Sequence, residues 1–247
     1  MDTLTGVEAL LFDVFGTVVD WRGSVTDQLS KSASSAGETG YWDAFVVEWR
    51  QNYYQQTRNI ANGGSGSTNI DVVHREILDS MLESPNWHHL VEGWDDTRRN
   101  ESVHFWHTLN GWPDTTKGLY ALKKRYILGT LSNGSARLLV DMAKHADLPW
   151  DIVFSGDIIG SYKPNAKMYL GAAEKLGLPP TKVAMVAAHI YDLRAAASHG
   201  MKTVYVRRPT EDQQNDQQKR VKTKADGGEV DIIVDSFTEL ARGLDLL

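Results

Sequence analysis

The feature that most constrains this chain is a single apolar run near its start, Val7-Glu8-Ala9-Leu10-Leu11-Phe12, which breaks off at Asp13-Val14-Phe15-Gly16-Thr17. A nearly continuous apolar stretch closed by a glycine-containing turn reads as a strand buried on both faces, and such strands belong in parallel sheets covered by helices. Comparable runs return only in the second half of the chain, at 126–131, 152–154, 183–188, 203–206 and 232–234. Helix-like segments alternate with them at 136–145, 166–176 and 193–199, and Gly177 and Gly200 close two of these. The alternation predicts an α/β fold with a Rossmann-like parallel sheet.

Between the first strand and the rest the texture changes. Trp42, Phe45, Val46, Trp49 and Tyr53 share one helical face, as do Ile70, Val73, Ile77 and Met81. Residues 19–109 therefore read as an inserted helical cap domain of about ninety residues, with 1–18 and 110–247 forming the α/β core. Asn62-Gly63-Gly64-Ser65-Gly66-Ser67 has the composition of a flexible loop joining the halves of the insertion. The polar segment from Thr210 to Gly228 predicts a long solvated loop, with no function assigned to it. The cap tryptophans, Trp42, Trp49, Trp87, Trp94 and Trp106, fit either a core or a dimer contact.

Composition excludes several chemistries. There is no cysteine, so thiol nucleophiles, thiolate metal sites and disulfides are ruled out. With 26 Lys+Arg against 32 Asp+Glu the formal net charge is −6, which argues against a nucleic-acid partner. Asp2 and Glu8 stand where a signal peptide would be basic, and no apolar run reaches the roughly 18 residues of a membrane span. A cytoplasmic location without membrane contact is expected.

Ligands of open parallel sheets bind beyond the carboxyl ends of the strands. The first run delivers Asp13 there, the second Ser132-Asn133-Gly134, and the fourth His189 followed by Asp192. Lys163 lies between these two, just before Pro164, which is expected to open a helix. Each residue alone has an ordinary structural explanation as a cap, turn or surface residue. Their common edge is what points to a site.

Asp13-Val-Phe-Gly-Thr17-Val-Val-Asp20, Leu131-Ser132-Asn133-Gly134, Lys163-Pro164 with Tyr169, and Asp192 resemble, in order, the four motifs of the haloacid dehalogenase superfamily. The helical insertion falls where that family has its cap. Phosphatases of the superfamily carry a second aspartate two residues after the nucleophile, which protonates the leaving alcohol and helps place Mg²⁺. Here that position is Phe15. A halide leaves without a proton, so the residue pattern is closest to the type II (S)-2-haloacid dehalogenases. Trp49-Arg50-Gln51 is similar to their arginine-bearing helix, whose arginine holds the halide or the substrate carboxylate.

The resemblance implies an ester formed on Asp13, hydrolysis of that ester by water, and no cofactor or metal. Lys163 would keep Asp13 ionised, Thr17 would orient it, and Asp192 would bind Lys163 and polarise the water. Ser132 and the amide of Asn133 would bind the carboxylate of a small anionic 2-haloacid, with Phe15, Gln51, Tyr54, Tyr169 and Tyr191 lining the site. A homodimer is possible by the same likeness. One stretch departs from the pattern. Where the dehalogenases carry Ser-x-Asn, this chain has Ala187-Ala188-His189, so His189 either acts near the hydrolytic water or fills the place of the asparagine. The alternative activity is a Mg²⁺-dependent phosphatase, with Asp20 or His189 as the missing acid. His104 and His107 with Glu101 imitate a metal site but read better as cap surface.

Overall fold

The computed structural model describes residues 2–35, 37–61, 63–67, 69–213 and 216–247. The chain divides into two compact units, Trp21–Leu109 and the combination of Met1–Asp20 with Asn110–Leu247. Asn62 lies outside the described residues. Among the described residues no helix is long and apolar enough to cross a membrane.

The helical unit contains α1 (Trp21–Ser35), α2 (Trp42–Ala61), α3 (Ile70–Glu83) and α4 (Asp96–His104). The apolar stripes of α2 and α3 face inward, and every residue of both is buried. Aromatic side chains build this core: Phe45 meets Trp87 with ring centroids 4.9 Å apart, and Trp49 meets Trp106 at 5.6 Å. Trp42, Trp49, Trp94 and Trp106 are all buried in it, which makes them core residues. His107 stands in a short 3₁₀ turn after α4, its Nε2 3.0 Å from Asp71 Oδ1. It pairs across the unit, stacks on the His104 ring at 4.7 Å and is buried, so it is not the cap-surface residue the sequence reading expected.

The other unit is built on a sheet of β1 (Ala9–Phe12), β2 (Ile127–Ser132), β3 (Ile152–Ser155), β4 (Val183–Ala187), β5 (Lys202–Val206) and β6 (Ile232–Val234). The strand order is β3-β2-β1-β4-β5-β6 and each named pairing is parallel. Leu10 of β1 pairs with Leu128 on one side and Ala184 on the other, and all of β1 is buried, which accounts for its apolar sequence. Around the sheet lie α5 (Thr115–Leu122), α6 (Ala136–His145), α7 (Gly156–Ile159), α8 (Ala166–Lys175), α9 (Ile190–Ser198), α10 (Gln217–Arg220) and α11 (Phe237–Gly243).

Two expectations change. Pro164 does not open a helix: it follows a cis peptide bond, and α8 begins at Ala166, where the Asn165 side chain accepts a hydrogen bond from Lys167 N at 2.9 Å. An asparagine acceptor at that position serves an otherwise unpaired amide, which a proline ring cannot do. The segment from Thr210 to Gly228 is not wholly solvated either. Glu211 is buried, Val221 packs into the core, and the chain forms α10 and a 3₁₀ turn at Lys224–Asp226. Its polar composition hid a few anchored positions among many exposed ones.

Candidate active site

The order β2-β1-β4 places β1 where the sheet's winding reverses, the usual ligand crevice of open α/β sheets. Asp13 is the first residue beyond β1, and its amide still donates to Val186 O of β4 at 3.0 Å. The backbone therefore delivers its carboxylate to that crevice from a rigid strand.

The turn that follows holds the carboxylate. The Thr17 hydroxyl donates to Asp13 Oδ2 at 2.7 Å and accepts from Ala188 N at 2.9 Å, so both of its roles are used and it ties the β1 turn to the end of β4. The turn requires Gly16, which adopts φ +82°. A Cβ at that position would also collide with the carboxyl group of Glu211.

Lys163 joins two carboxylates. Its Nζ lies 3.0 Å from Asp13 Oδ1 and 2.5 Å from Asp192 Oδ2, while its backbone amide donates to Asn133 Oδ1 at 2.8 Å. Tyr169, buried in α8, donates its hydroxyl to Asp192 Oδ1 at 2.6 Å. Burial disfavours charge on Asp13, yet Lys163, His189 and Thr17 outweigh it and hold the Asp13 carboxyl well below the usual carboxylate range. For Lys163 burial is likewise outweighed, here by Asp13 and Asp192, which keep the ammonium charged. Burial, with Asp13 close by, pushes the carboxyl of Asp192 upward despite Lys163. The arrangement can hold an ionised carboxylate in a nearly dry crevice, the condition for carboxylate nucleophilicity.

His189, at the start of α9, completes the cluster. Its Nδ1 is 3.0 Å from Asp13 Oδ2 and its Nε2 is 2.8 Å from Glu211 Oε2. Ser132 is buried with its Oγ accepting from Gly134 N at 3.1 Å, and Phe15 is buried beside Gly134. Tyr191 is 43% exposed, its ring 5.5 Å from that of His189. Asp13, Thr17, Asn133, Lys163, Tyr169, His189 and Asp192 thus form one connected network.

Three expected residues belong to the helical unit. Arg50 is buried on α2, its Nη2 donating to Tyr54 OH at 3.1 Å and its guanidinium lying 4.4 Å from the Tyr54 ring centroid and 4.8 Å from that of Tyr53. Gln51, next along the helix, is exposed.

The residues missed by sequence reading follow β5. Arg208 donates from Nε to Thr17 O at 2.9 Å and pairs with Asp114, its Nη1 2.6 Å from Oδ1. Asp212 accepts from Ile190 N at 2.7 Å and from Tyr205 OH at 3.1 Å. With Glu211 they pin this loop to the Asp13 turn and to the start of α9. The strand-end rule that located Asp13 and His189 leads equally past β5 to Arg208, which the sequence reading passed over, and on to Glu211 and Asp212, which lie inside the segment read as solvated.

A carboxylate thus stands at a strand end, a lysine is held between it and a second carboxylate, and a separate helical unit is inserted after the first strand. A family model described as haloacid dehalogenase-like hydrolase matches residues 7–200, and the chain belongs to that family. Among curated proteins it is 27% identical over 209 residues to (S)-2-haloacid dehalogenase 4A of Burkholderia cepacia, covering 82% of this chain and 84% of that one. It is 29% identical to (S)-2-haloacid dehalogenase 1 of a Pseudomonas species, covering 82% and 85%. Among solved structures an L-2-haloacid dehalogenase superposes with a TM-score of 0.87 at 37% identity over 97% of this chain and 99% of that chain. A defluorinating L-2-haloacid dehalogenase gives 0.85 at 38% identity over 97% and 95%.

Proposed function

We propose that the protein is a hydrolase of carbon–halide bonds that converts small (S)-2-haloacids to 2-hydroxyacids through an ester on Asp13. The observation that carries this reading is the pair of contacts Lys163–Asp13 and Lys163–Asp192, which keeps Asp13 ionised at a largely buried strand end. An Asp13 oxygen attacks the α-carbon, the carbon–halogen bond breaks, and halide leaves without needing a proton. Water then attacks the Asp13 carbonyl carbon and frees the hydroxyacid. Lys163 supplies the fixed positive charge, Asp192 and Tyr169 hold that lysine, and Thr17 orients the carboxylate. Ser132 and the Asn133 amide are candidates for the substrate carboxylate, and Phe15, Tyr191, Gln51 and Tyr54 for the walls. Arg50 is the candidate cation for halide or carboxylate, and the helical unit serves as the cap.

Phosphate-ester hydrolysis is disfavoured by Phe15. An alkoxide needs an acid two residues beyond the nucleophile, and the phenyl ring there has no proton to give. The names of the relatives in sequence and structure support the same choice.

The test is halide release from (S)-2-chloropropionate in the presence of a chelator. The parent protein should turn over, and Asp13→Asn should lose at least about a thousandfold in kcat. Equal rates for the two proteins would end the proposal.

A further inference from the structure

His189 stands between two carboxylates, and the geometry limits its protonation. Both ring nitrogens face carboxylate oxygens, Asp13 Oδ2 at 3.0 Å and Glu211 Oε2 at 2.8 Å. A neutral imidazole has one N–H and one lone pair, so it makes only one of these contacts as a hydrogen bond; with both carboxylates ionised, an imidazolium makes both. Glu211 is built into this place. It is buried, its other oxygen accepts from the Thr210 hydroxyl at 2.9 Å, and Gly16 leaves the space its carboxyl group occupies. The remaining charged groups near the ring have other partners. Lys163 holds the other oxygen of Asp13 and one oxygen of Asp192, and Asp212 accepts from Ile190 N and Tyr205 OH. The ring of Tyr191 lies alongside.

We propose that His189 rests as an imidazolium clamped by Asp13 and Glu211, and becomes the base for ester hydrolysis only once Asp13 has been alkylated. The proposal rests on Asp13 as the nucleophile. Alkylation turns the Asp13 carboxylate into a neutral ester, and its negative charge leaves with the halide. The imidazolium then faces one anion where it faced two, and it releases the Nδ1 proton to solvent while Nε2–H stays on Glu211. The Nδ1 lone pair takes a proton from the water whose oxygen bonds to the Asp13 carbonyl carbon. The tetrahedral intermediate breaks its bond to the alkyl oxygen, which takes the remaining water proton. Asp13 is again a carboxylate and His189 again an imidazolium. The sum is R–X + H₂O → R–OH + H⁺ + X⁻.

The order has a chemical purpose. A neutral imidazole beside an α-haloacid is itself a nucleophile and would be alkylated, whereas an imidazolium is not. The base thus exists only when no electrophilic carbon–halogen bond is left to attack. Glu211 is a positioning residue: it fixes the ring orientation and keeps Nε2 protonated, so that Nδ1 is the nitrogen freed.

Pre-steady-state kinetics with (S)-2-chloropropionate, following halide, pH-indicator absorbance and intact protein mass, test the proposal. In a single turnover of the parent protein, proton release should coincide with halide release and precede hydroxyacid formation. His189→Gln should release one halide per site and then stall with the ester mass on the protein, its kcat down at least about a hundredfold. Glu211→Gln should keep the full halide burst, turn over more slowly, and move the acid limb of its kcat–pH profile to lower pH, because an anion beside the imidazolium is gone. Proton release that waits for hydroxyacid, a His189→Gln protein that turns over without accumulating ester, or an unmoved acid limb in Glu211→Gln would each overturn it. If the parent protein releases no halide, the nucleophile reading itself fails and takes this proposal with it.

Discussion

The two units bury their cations in opposite ways. In the sheet unit Lys163 is gripped by the carboxylates of Asp13 and Asp192, and Tyr169 and Thr17 satisfy the oxygens that remain. In the helical unit Arg50 lies against the ring faces of Tyr53 and Tyr54, with Trp21 5.5 Å and Trp106 5.9 Å from its guanidinium carbon. Beside it His74 is fully buried, stacked 4.7 Å from Tyr53 and 4.4 Å from Trp106, and its ring nitrogens have no hydrogen-bond partner among the described residues. Ion pairing makes each buried charge depend on its partner, so deleting one strands another. Ring stacking spreads the interaction over many weak contacts, so a substitution there acts mostly through shape and packing.

The sharpest way to break the contrast is Lys163→Met, which leaves Asp13 and Asp192 buried with no ammonium between them. It should cost about 3–5 kcal/mol in denaturant unfolding and, on the proposed function, about 10²–10³-fold in halide release. A loss below about 1 kcal/mol would mean that the charges are not interdependent. Arg50→Lys keeps the charge but loses the planar face, so stability should fall by about 1–2 kcal/mol with a lower kcat/KM for the haloacid. Tyr169→Phe removes one donor from Asp192 and should cost about 1 kcal/mol, read from the same unfolding curves.

The smallest change is expected at His74. Burial, then the charges of Arg50 and His107, hold its pKa well below 6.5. The unfolded chain therefore binds a proton below pH 6.5 that the folded chain refuses, and folding stability drops as pH falls beneath that value, by at most about 1.4 kcal/mol per pH unit. His74→Phe preserves the stacking and removes the titration. At pH 7.5 its stability should stay within about 1 kcal/mol of the parent, and the acid slope should flatten. An unchanged slope below pH 6 would show that His74 is not the group responsible.

Much of the sheet unit was legible because burial leaves a local mark. The apolar runs located β1 to β6 to within two residues at each end, and the helix read at 136–145 coincides with α6. The stripes on α2 and α3 were equally plain, since helical periodicity is written into adjacent turns. The helix read at 166–176 begins where α8 does, and only the role given to Pro164 failed, because Asn165 and not the proline caps the first turn. Glu211 escaped because one buried acid looks like its exposed neighbours when only composition is read.

What the sequence determined by itself is the list of strands, the helical stretch between them, and the strand ends that carry Asp13, Ser132 and His189. Those depend on hydrophobic periodicity and turn chemistry, which act over a few residues. Only the tertiary structure decided which charge faces which. Lys163 meets Asp13 across 150 positions of chain, His189 meets it across 176, and Glu211 reaches His189 from a polar loop. No periodicity encodes such pairings. They follow from the strand order, which sets β1 beside β4, and from the chain after β5, which folds back on Gly16 and Thr17.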